Sequence, residues 1–163
     1  AVVPNGSRGW PLVVITGGEP FRQNIGALVQ YLIVECFRVQ IETNGTLYQE
    51  GVPYLDPQLT IVCSPKAGAI NRNLAPHIRA FKYVATVDSL EGSDDGLPTH
   101  ALEHPNGKGL ARPPHNWEGD IYLQPVDEKN SARNNRNLTA VVDSCLKHNY
   151  RLCLQVHKII GVD

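Results

Sequence analysis

The chain has 163 residues, of which 42% are hydrophobic, and this length and composition predict one soluble globular domain with an ordinary core. Its 15 basic and 16 acidic residues nearly cancel, so neither a net field nor a local basic patch draws the chain to nucleic acid or to an anionic membrane. The apolar runs are too short to cross a bilayer and the first ten residues lack the pattern of a signal peptide, so we expect a cytoplasmic protein.

The first part of the chain predicts a strand, a helix and a second strand. The strand is expected at Pro11 to Thr16, the helix from about Phe21 to Cys36 and the next strand at Arg38 to Glu42. Apolar residues recur at helical spacing in the helix, namely Ile25, Leu28, Val29, Leu32, Ile33 and Cys36. The turn between the helix and the second strand is short, and VVIT is apolar at every position. We therefore expect a βαβ unit whose parallel strands are buried on both faces.

The remainder of the chain continues the alternation of strands and helices. Further strands are predicted at Leu59 to Cys63, Phe81 to Val87, Ile121 to Leu123 and Arg151 to Gln155. A helix is predicted from about Asn134 to His148, after the cap candidates in NSARNNRN, with an inward face made by Leu138, Val141, Val142, Cys145 and Leu146. This alternation predicts the α/β class.

One segment, Asp88 to Asp120, interrupts this pattern. It is dense in Gly, Pro, Asp and His and too long for an ordinary connection, so we interpret it as an ordered surface excursion or a lid within a single domain of residues 1–163. Its histidines, His100, His104 and His115, lack cysteine or carboxylate neighbours at a regular spacing. We therefore expect a solvated loop there and no metal site.

The four cysteines are dispersed along the chain and no two have the C-x-x-C spacing of a zinc or redox site. They are Cys36, Cys63, Cys145 and Cys153, mostly within apolar segments. We interpret them as reduced thiols in the core rather than as a disulfide framework.

Polar side chains follow five of the predicted strands where each strand ends. These sets are Thr16 to Pro20, Glu42 to Gly45, Ser64 to Lys66, Gln124 with Pro125, and Gln155 to Lys158. Because ligands bind at the carboxyl ends of parallel strands, the repetition predicts one composite pocket for a small molecule. The motifs of nucleotide hydrolysis, hydride transfer, serine hydrolysis and zinc proteolysis do not occur.

Each candidate taken alone has a structural alternative. Gly17 and Gly18 allow a ligand to approach the backbone, and Glu19 offers an acceptor for an ammonium group, but Glu19 can equally cap the next helix. The residues from Glu42 to Gly45 alone are best explained as a turn.

Two further candidates stand at the ends of later strands. Ser64 and Lys66 suit ribose oxygens or a carboxylate, although a lysine after a strand is often simply solvated. His157 can bind a substrate or titrate, or it can be an ordinary histidine at the edge of the domain.

The ordered set ITGGEP, IETNGT, VCSPK, YLQPVDE and LQVHKIIGVD resembles the radical S-adenosylmethionine enzymes, and within them the family of 7-carboxy-7-deazaguanine synthases. GGEP followed by ETNG indicates the superfamily, which includes the glycyl-radical activases. SPK, LQP and the closing LQ-x-HK indicate the synthases. The resemblance implies the C-terminal part of an incomplete (β/α) barrel.

The resemblance also implies an activity and a set of site residues. The reaction is a lyase reaction that converts 6-carboxy-5,6,7,8-tetrahydropterin to 7-carboxy-7-deazaguanine with loss of ammonia, in queuosine or related 7-deazaguanine biosynthesis. S-adenosylmethionine is expected to contact Gly17, Gly18, Glu19, Glu42, Ser64, Lys66 and Gln124, and the pterin to contact Thr16, His157 and Asp163. No catalytic residue is assigned.

The implied cofactors and partners are S-adenosylmethionine, a [4Fe–4S] cluster, Mg²⁺, an electron donor such as flavodoxin, and a second copy in a homodimer. The family binds its cluster through three closely spaced cysteines before GGEP, and no cysteine precedes GGEP in this sequence. We expect a fragment of a longer enzyme, inactive alone. The alternatives are a non-catalytic module that binds S-adenosylmethionine or a pterin, and an enzyme similar to glycyl-radical activases.

Overall fold

The computed structural model describes residues 10–102 and 109–162, and these residues form two compact units. The first unit holds residues up to 63 together with 70–79, and the second holds 64–69 and the residues from 80 onward. The paired strands within each unit are parallel, and helices lie between most consecutive strands along the chain. The α/β class is therefore confirmed, whereas the single domain over 1–163 stays a prediction.

The first unit contains three parallel strands in the order β1 (Leu12–Ile15), β2 (Arg38–Thr43) and β3 (Leu59–Cys63). The α-helix α1 (Gly26–Val34) connects β1 to β2 and packs against β2. Val39 and Ile41 of β2 are completely buried. The predicted βαβ unit is confirmed, and β3 has the predicted bounds.

The prediction that the strands are buried on both faces is wrong for β1. Its side chains alternate between exposed and half-buried, and Leu12 and Val14 keep 47% and 44% of their surface. Side chains two apart share one face of a strand, so Leu12 and Val14 expose the same face of β1.

The predicted helix from Phe21 to Cys36 is interrupted. A short 3₁₀ helix (Pro20–Arg22) comes first, and α1 begins only at Gly26. The side chain of Gln49 accepts a hydrogen bond from the Ile25 N–H (2.9 Å) and donates to the Gln23 carbonyl (2.6 Å), so the intervening backbone is satisfied without helical bonds.

The predicted buried face of α1 is only partly right. Ile25 and Val29 are buried, but Leu28 keeps 48% of its surface. The helix ends with the left-handed residue Cys36 (φ 63°), whose thiol is exposed rather than in the core. The N–H groups of Cys36 and Phe37 donate to the carbonyls of Ile33 and Leu32, a helix termination that usually uses glycine.

The second unit contains residues 80–85 of β4 (Ile78–Ala85), then β5 (Asp120–Pro125) and β6 (Arg151–Leu152), with β5 between the other two. Two of the predicted strands are too long at their ends. The predicted strand to Val87 stops at Ala85, because Thr86 caps the short helix α2 (Val87–Leu90) by accepting from the Ser89 N–H. The predicted strand to Gln155 stops at Leu152, and the short helix α4 (Val156–Ile159) follows.

The long helix α3 (Ser131–His148) begins at a cap in the predicted asparagine-rich segment, where the Asn130 side chain accepts from the Arg133 N–H. Its inward face differs from the prediction. Val141 and Cys145 are buried with Asn137 and Ser144, whereas Leu138 and Leu146 keep 38% and 80% of their surface. The four buried residues recur every three or four positions and therefore lie on one face of α3. Two of them are polar, and their side chains form hydrogen bonds.

Asn137 is an example of such a buried polar residue. Its side chain accepts from the Val87 N–H (2.9 Å) and donates to the Val126 carbonyl (3.2 Å).

None of the helices among the described residues is long and apolar enough to span a membrane.

Candidate functional site

The glycine loop after β1 presents its backbone to open space. Thr16, Gly17 and Gly18 are exposed, and a Cβ atom added at either glycine meets no atom within 4 Å. Gly17 has a φ of 110°, a conformation that favours glycine. The loop therefore leaves open space at both Cβ positions, where a ligand can approach the backbone.

Glu19, the next residue of the loop, is buried, with 8% of its surface exposed. One carboxylate oxygen accepts from the Phe21 N–H (3.1 Å) and from the Thr43 hydroxyl (2.7 Å), and the other accepts from the Asn44 N–H (2.8 Å). The carboxylate therefore ties the loop after β1 to the end of β2 and caps the 3₁₀ helix, which is the structural alternative considered above.

The turn after β2 is built around the same carboxylate. The Thr43 hydroxyl donates to Glu19 and accepts from the Gly45 N–H (3.1 Å), and Asn44 Oδ1 accepts from the Thr46 N–H (2.8 Å). Gly45 has a φ of 84°, and a Cβ there would lie 2.6 Å from Cys63 Sγ. The ETNG sequence is thus a turn whose threonine and asparagine support Glu19.

Thr43 and Asn44 lie in the predicted polar set Glu42 to Gly45, but the sequence prediction did not name either of them as a contact of the cofactor. Their signal was present, because a small hydroxyl and a turn residue follow directly after Glu42 at a strand end. Glu42 itself is half-buried, and one of its oxygens accepts from Gln40 Nε2 (3.1 Å). Its predicted contact with a cofactor stays a prediction.

In the second unit, the loop of residues 64–69, which we call the SPK loop, forms one wall of a small cavity of about 70 Å³. Ser64 is half-buried and Lys66 exposed, and both lie on the cavity. The other lining residues are Pro65, Val84, Ala101, Leu102 and Leu110. The structure therefore brings together two of the predicted site residues, beside mainly apolar side chains.

Gln124 lies near the end of β5, where it is paired in register with Val84 of β4. It is half-buried, and its Oε1 accepts from the Cys153 thiol with an S···O distance of 3.8 Å. Gln124 therefore lies within β5 rather than after it, and its predicted contact with a cofactor stays a prediction.

His157 is exposed on α4, next to Lys158, whose ammonium pairs with Asp127 at 2.7 Å. Hydrogen bonds to Asp127 from Lys158, from the Lys129 N–H and from Asn134 lower the pKa of that carboxyl. Asp163, the third predicted pterin contact, lies outside the described residues, as does His104.

The thiols of the described residues do not form a metal site. All four are free, and Cys63 and Cys145 are buried. Burial, with a smaller contribution from the Glu19 charge, raises the pKa of Cys63 to about 12, so this thiol stays protonated at neutral pH. Within 10–102 and 109–162, no group of three His, Cys, Asp or Glu side chains is placed to bind a metal ion.

No protein-family model matches the chain. Among curated proteins, the 7-carboxy-7-deazaguanine synthase of Rhodospirillum rubrum is 44% identical over 157 residues, which cover 93% of this chain and 65% of that protein. The synthase of Rickettsia prowazekii is 37% identical over 157 residues, 93% of this chain and 59% of that protein.

A solved structure has a similar fold. The crystal structure of QueE from Escherichia coli matches with a TM-score of 0.58 and 23% identity, over 88% of this chain and 56% of that one. The chain spans at most 65% of the length of these relatives. Over nearly all of its own length, it is homologous to the 7-carboxy-7-deazaguanine synthases.

Proposed function

We propose that the chain acts in the conversion of 6-carboxy-5,6,7,8-tetrahydropterin to 7-carboxy-7-deazaguanine with loss of ammonia, a lyase reaction of 7-deazaguanine biosynthesis. The observation that carries this proposal is the 44% identity over 157 residues to a protein with that name. The alignment extends over 93% of the chain.

In the first unit, the glycine loop fits the amino acid part of S-adenosylmethionine. Gly17 and Gly18 leave open space beside their backbone, where carbonyl groups can accept from an ammonium. Because three hydrogen bonds already hold the Glu19 carboxylate, its main contribution is to fix the loop, and its remaining lone pair is proposed to accept from the ammonium group of the cofactor. Glu42 is proposed as a further contact.

In the second unit, Ser64, Lys66 and Gln124 are proposed to bind the same cofactor. Ser64 and Lys66 line one cavity, and a hydroxyl and an ammonium are suitable donors to ribose oxygens or to a carboxylate. When bound, S-adenosylmethionine supplies the 5′-deoxyadenosyl group that takes a hydrogen atom from the substrate.

Thr16 and His157 are proposed to bind the pterin, together with Asp163. Both Thr16 and His157 are exposed and hence accessible to a ligand. The described residues do not fit a [4Fe–4S] cluster, since their thiols are dispersed and two of them are buried, so no step is assigned to the cluster here. Mg²⁺, an electron donor such as flavodoxin and a homodimer are proposed from the family alone.

The finer fold assignment, an incomplete (β/α) barrel of the radical S-adenosylmethionine type, is likewise a proposal. The parallel strands with intervening helices in each unit, and the TM-score of 0.58 to QueE, support it.

The test is anaerobic turnover by the complete gene product after cluster reconstitution, with carboxytetrahydropterin as substrate. We expect carboxydeazaguanine and ammonia in equal amounts. Formation of 5′-deoxyadenosine only with a peptide substrate would instead indicate an activase, and binding of S-adenosylmethionine without any turnover would indicate a binding module.

Two variants test the division of the site. Glu19→Gln is expected to raise the KM for S-adenosylmethionine more than the KM for the pterin, and His157→Ala is expected to do the reverse. Equal effects of both variants on both substrates would contradict the assignment.

A further inference from the structure

A short segment, residues 109–112, contacts the SPK loop through its backbone, and we call it the return segment. Both belong to the second unit. The Ala111 N–H donates to the Ala67 carbonyl (2.8 Å), one residue after Lys66. The Ala111 carbonyl in turn accepts from the Tyr83 hydroxyl (2.7 Å), and both Ala111 and Tyr83 are buried. A backbone group of the return segment thus links a core tyrosine to the SPK loop.

A close approach of two glycines supports the same contact. A Cβ atom added at Gly68 would lie 2.9 Å from the Gly109 carbonyl oxygen. That oxygen is backbone and cannot rotate away, so the two segments are this close only because residue 68 has no side chain.

Arg112 anchors the other end of the return segment. Its guanidinium pairs with Asp95 (Nε to Oδ2, 2.7 Å) and donates to the Pro98 carbonyl (2.8 Å). It also lies over the Tyr83 ring, 6.0 Å from the centroid. Arg112 of the return segment therefore contacts both Tyr83 and residues 95–98 of the predicted excursion.

The cavity beside Ser64 and Lys66 shows what this fastening does. Ala101, Leu102 and Leu110 form part of its wall, so the described parts of the excursion cover one side of the SPK loop with apolar groups.

We propose that Tyr83 and the return segment are positioning elements that hold Ser64 and Lys66 for S-adenosylmethionine through the Ala111–Ala67 hydrogen bond and the Gly68–Gly109 contact. This proposal rests on the proposed function. It assigns the return segment to the cofactor rather than to the pterin, and it predicts that substitutions that separate the return segment from the SPK loop raise the KM for S-adenosylmethionine.

A matched pair of glycine variants tests the contact. Gly68→Ala forces the SPK loop and the return segment apart, whereas the Cβ of Gly109→Ala lies in ordinary contact, 3.7 Å from the Thr99 carbonyl oxygen. In the reconstituted complete gene product, we expect Gly68→Ala to raise the KM for S-adenosylmethionine about tenfold and to leave the KM for the pterin unchanged. Gly109→Ala should change neither value.

A matched pair of tyrosine variants tests the hydrogen bond from Tyr83 to the return segment. Tyr83→Phe removes the bond to Ala111, and Tyr150→Phe removes a bond of equal length, 2.7 Å, to the Asp95 carbonyl. Each variant loses one hydrogen bond, which is buried for Tyr83 and part-buried for Tyr150, but only Tyr83→Phe should raise the KM for S-adenosylmethionine. Hydrogen exchange of peptides covering 64–69 and 109–113 should accelerate in Tyr83→Phe and Gly68→Ala even without cofactor.

The outcomes separate the two proposals. If the wild type neither binds nor turns over S-adenosylmethionine, the proposed function fails, while faster exchange in the two variants would still support the fastening. If the wild type turns over but both variants keep the wild-type KM for S-adenosylmethionine, the positioning role is overturned. Equal effects of Tyr83→Phe and Tyr150→Phe would reduce it to general stability.

Discussion

The glycine loop after β1 and the SPK loop after β3 are held in different ways. The first is held by the side chain of its own Glu19, which accepts hydrogen bonds from Thr43 and Asn44 about 25 residues later. The second is held by backbone contacts from the return segment, about 45 residues further along the chain. The glycine loop should therefore be destabilised by removal of one side chain, Glu19. The SPK loop should instead be displaced by a side chain added at its contact with the return segment.

The largest effect is expected from Glu19→Ala. The substitution leaves two N–H groups and the Thr43 hydroxyl without their acceptor in a buried place, so we expect the free energy of unfolding to fall by about 3 kcal/mol. Urea unfolding measures the change. Glu42→Ala is the control, since that carboxylate is only half-buried, and should cost less than about 1 kcal/mol. Similar losses for both would show that Glu19 does not hold the loop.

Gly45→Ala is expected to come next, with a loss of about 2–3 kcal/mol, because the new Cβ would meet Cys63 Sγ in a backbone conformation that disfavours side chains. Gly51→Ala is the matched control, since Gly51 has a similar φ, 83°, but open space around its Cβ position. The difference between the two unfolding free energies therefore measures the Cys63 contact. Identical values would mean that the turn after β2 is not packed against β3.

The buried thiol before the SPK loop gives a dependence on pH. An unfolded cysteine ionises near its ordinary pKa of 9.0, whereas folded Cys63 keeps its proton up to about pH 12. The stabilisation is present below pH 9.0 and is lost as the pH rises towards 12, by about 1.4 kcal/mol for each pH unit.

Cys63→Ala should remove this part of the pH dependence when unfolding is followed from pH 8 to 10.5. At pH 8, iodoacetamide should label exposed Cys36 before Cys63. Rapid labelling of Cys63 in the folded protein would contradict its burial.

The smallest expected effect lies outside both loops. Cys36→Gly should raise the free energy of unfolding by about 0.5–1 kcal/mol, because glycine adopts the left-handed conformation at the end of α1 without a Cβ penalty. Cys36→Ala retains that penalty and should give no gain in thermal unfolding. A gain with alanine equal to that with glycine would attribute the effect to the thiol instead.

The parts of the fold that could be predicted from the sequence are those set by local patterns. β3 and the cap of α3 follow from an apolar run and an asparagine before a helix. The break before Gly26 could not be predicted, because the side chain that stabilises it, Gln49, is 24 residues away from its partner Ile25. The exposure of Leu146 likewise depends on which face of α3 packs.

The candidate site divides in the same way. GGE and TNG are visible in the sequence, but the hydrogen bonds that hold the Glu19 carboxylate required the structure. The role of residues 109–112 left no sequence signal, because Ala111 acts through its N–H and carbonyl, which every residue except proline has.

The most direct test of the account is calorimetric titration of S-adenosylmethionine into the reconstituted complete gene product, as wild type and as Gly18→Ala. Gly18 has open space around its Cβ position and an ordinary φ, so the methyl group should leave the free energy of unfolding unchanged or slightly higher. We predict that it nevertheless weakens cofactor binding at least tenfold, because it fills the space proposed for the amino acid group. Unchanged affinity in Gly18→Ala would contradict the claim that the glycine loop binds the cofactor.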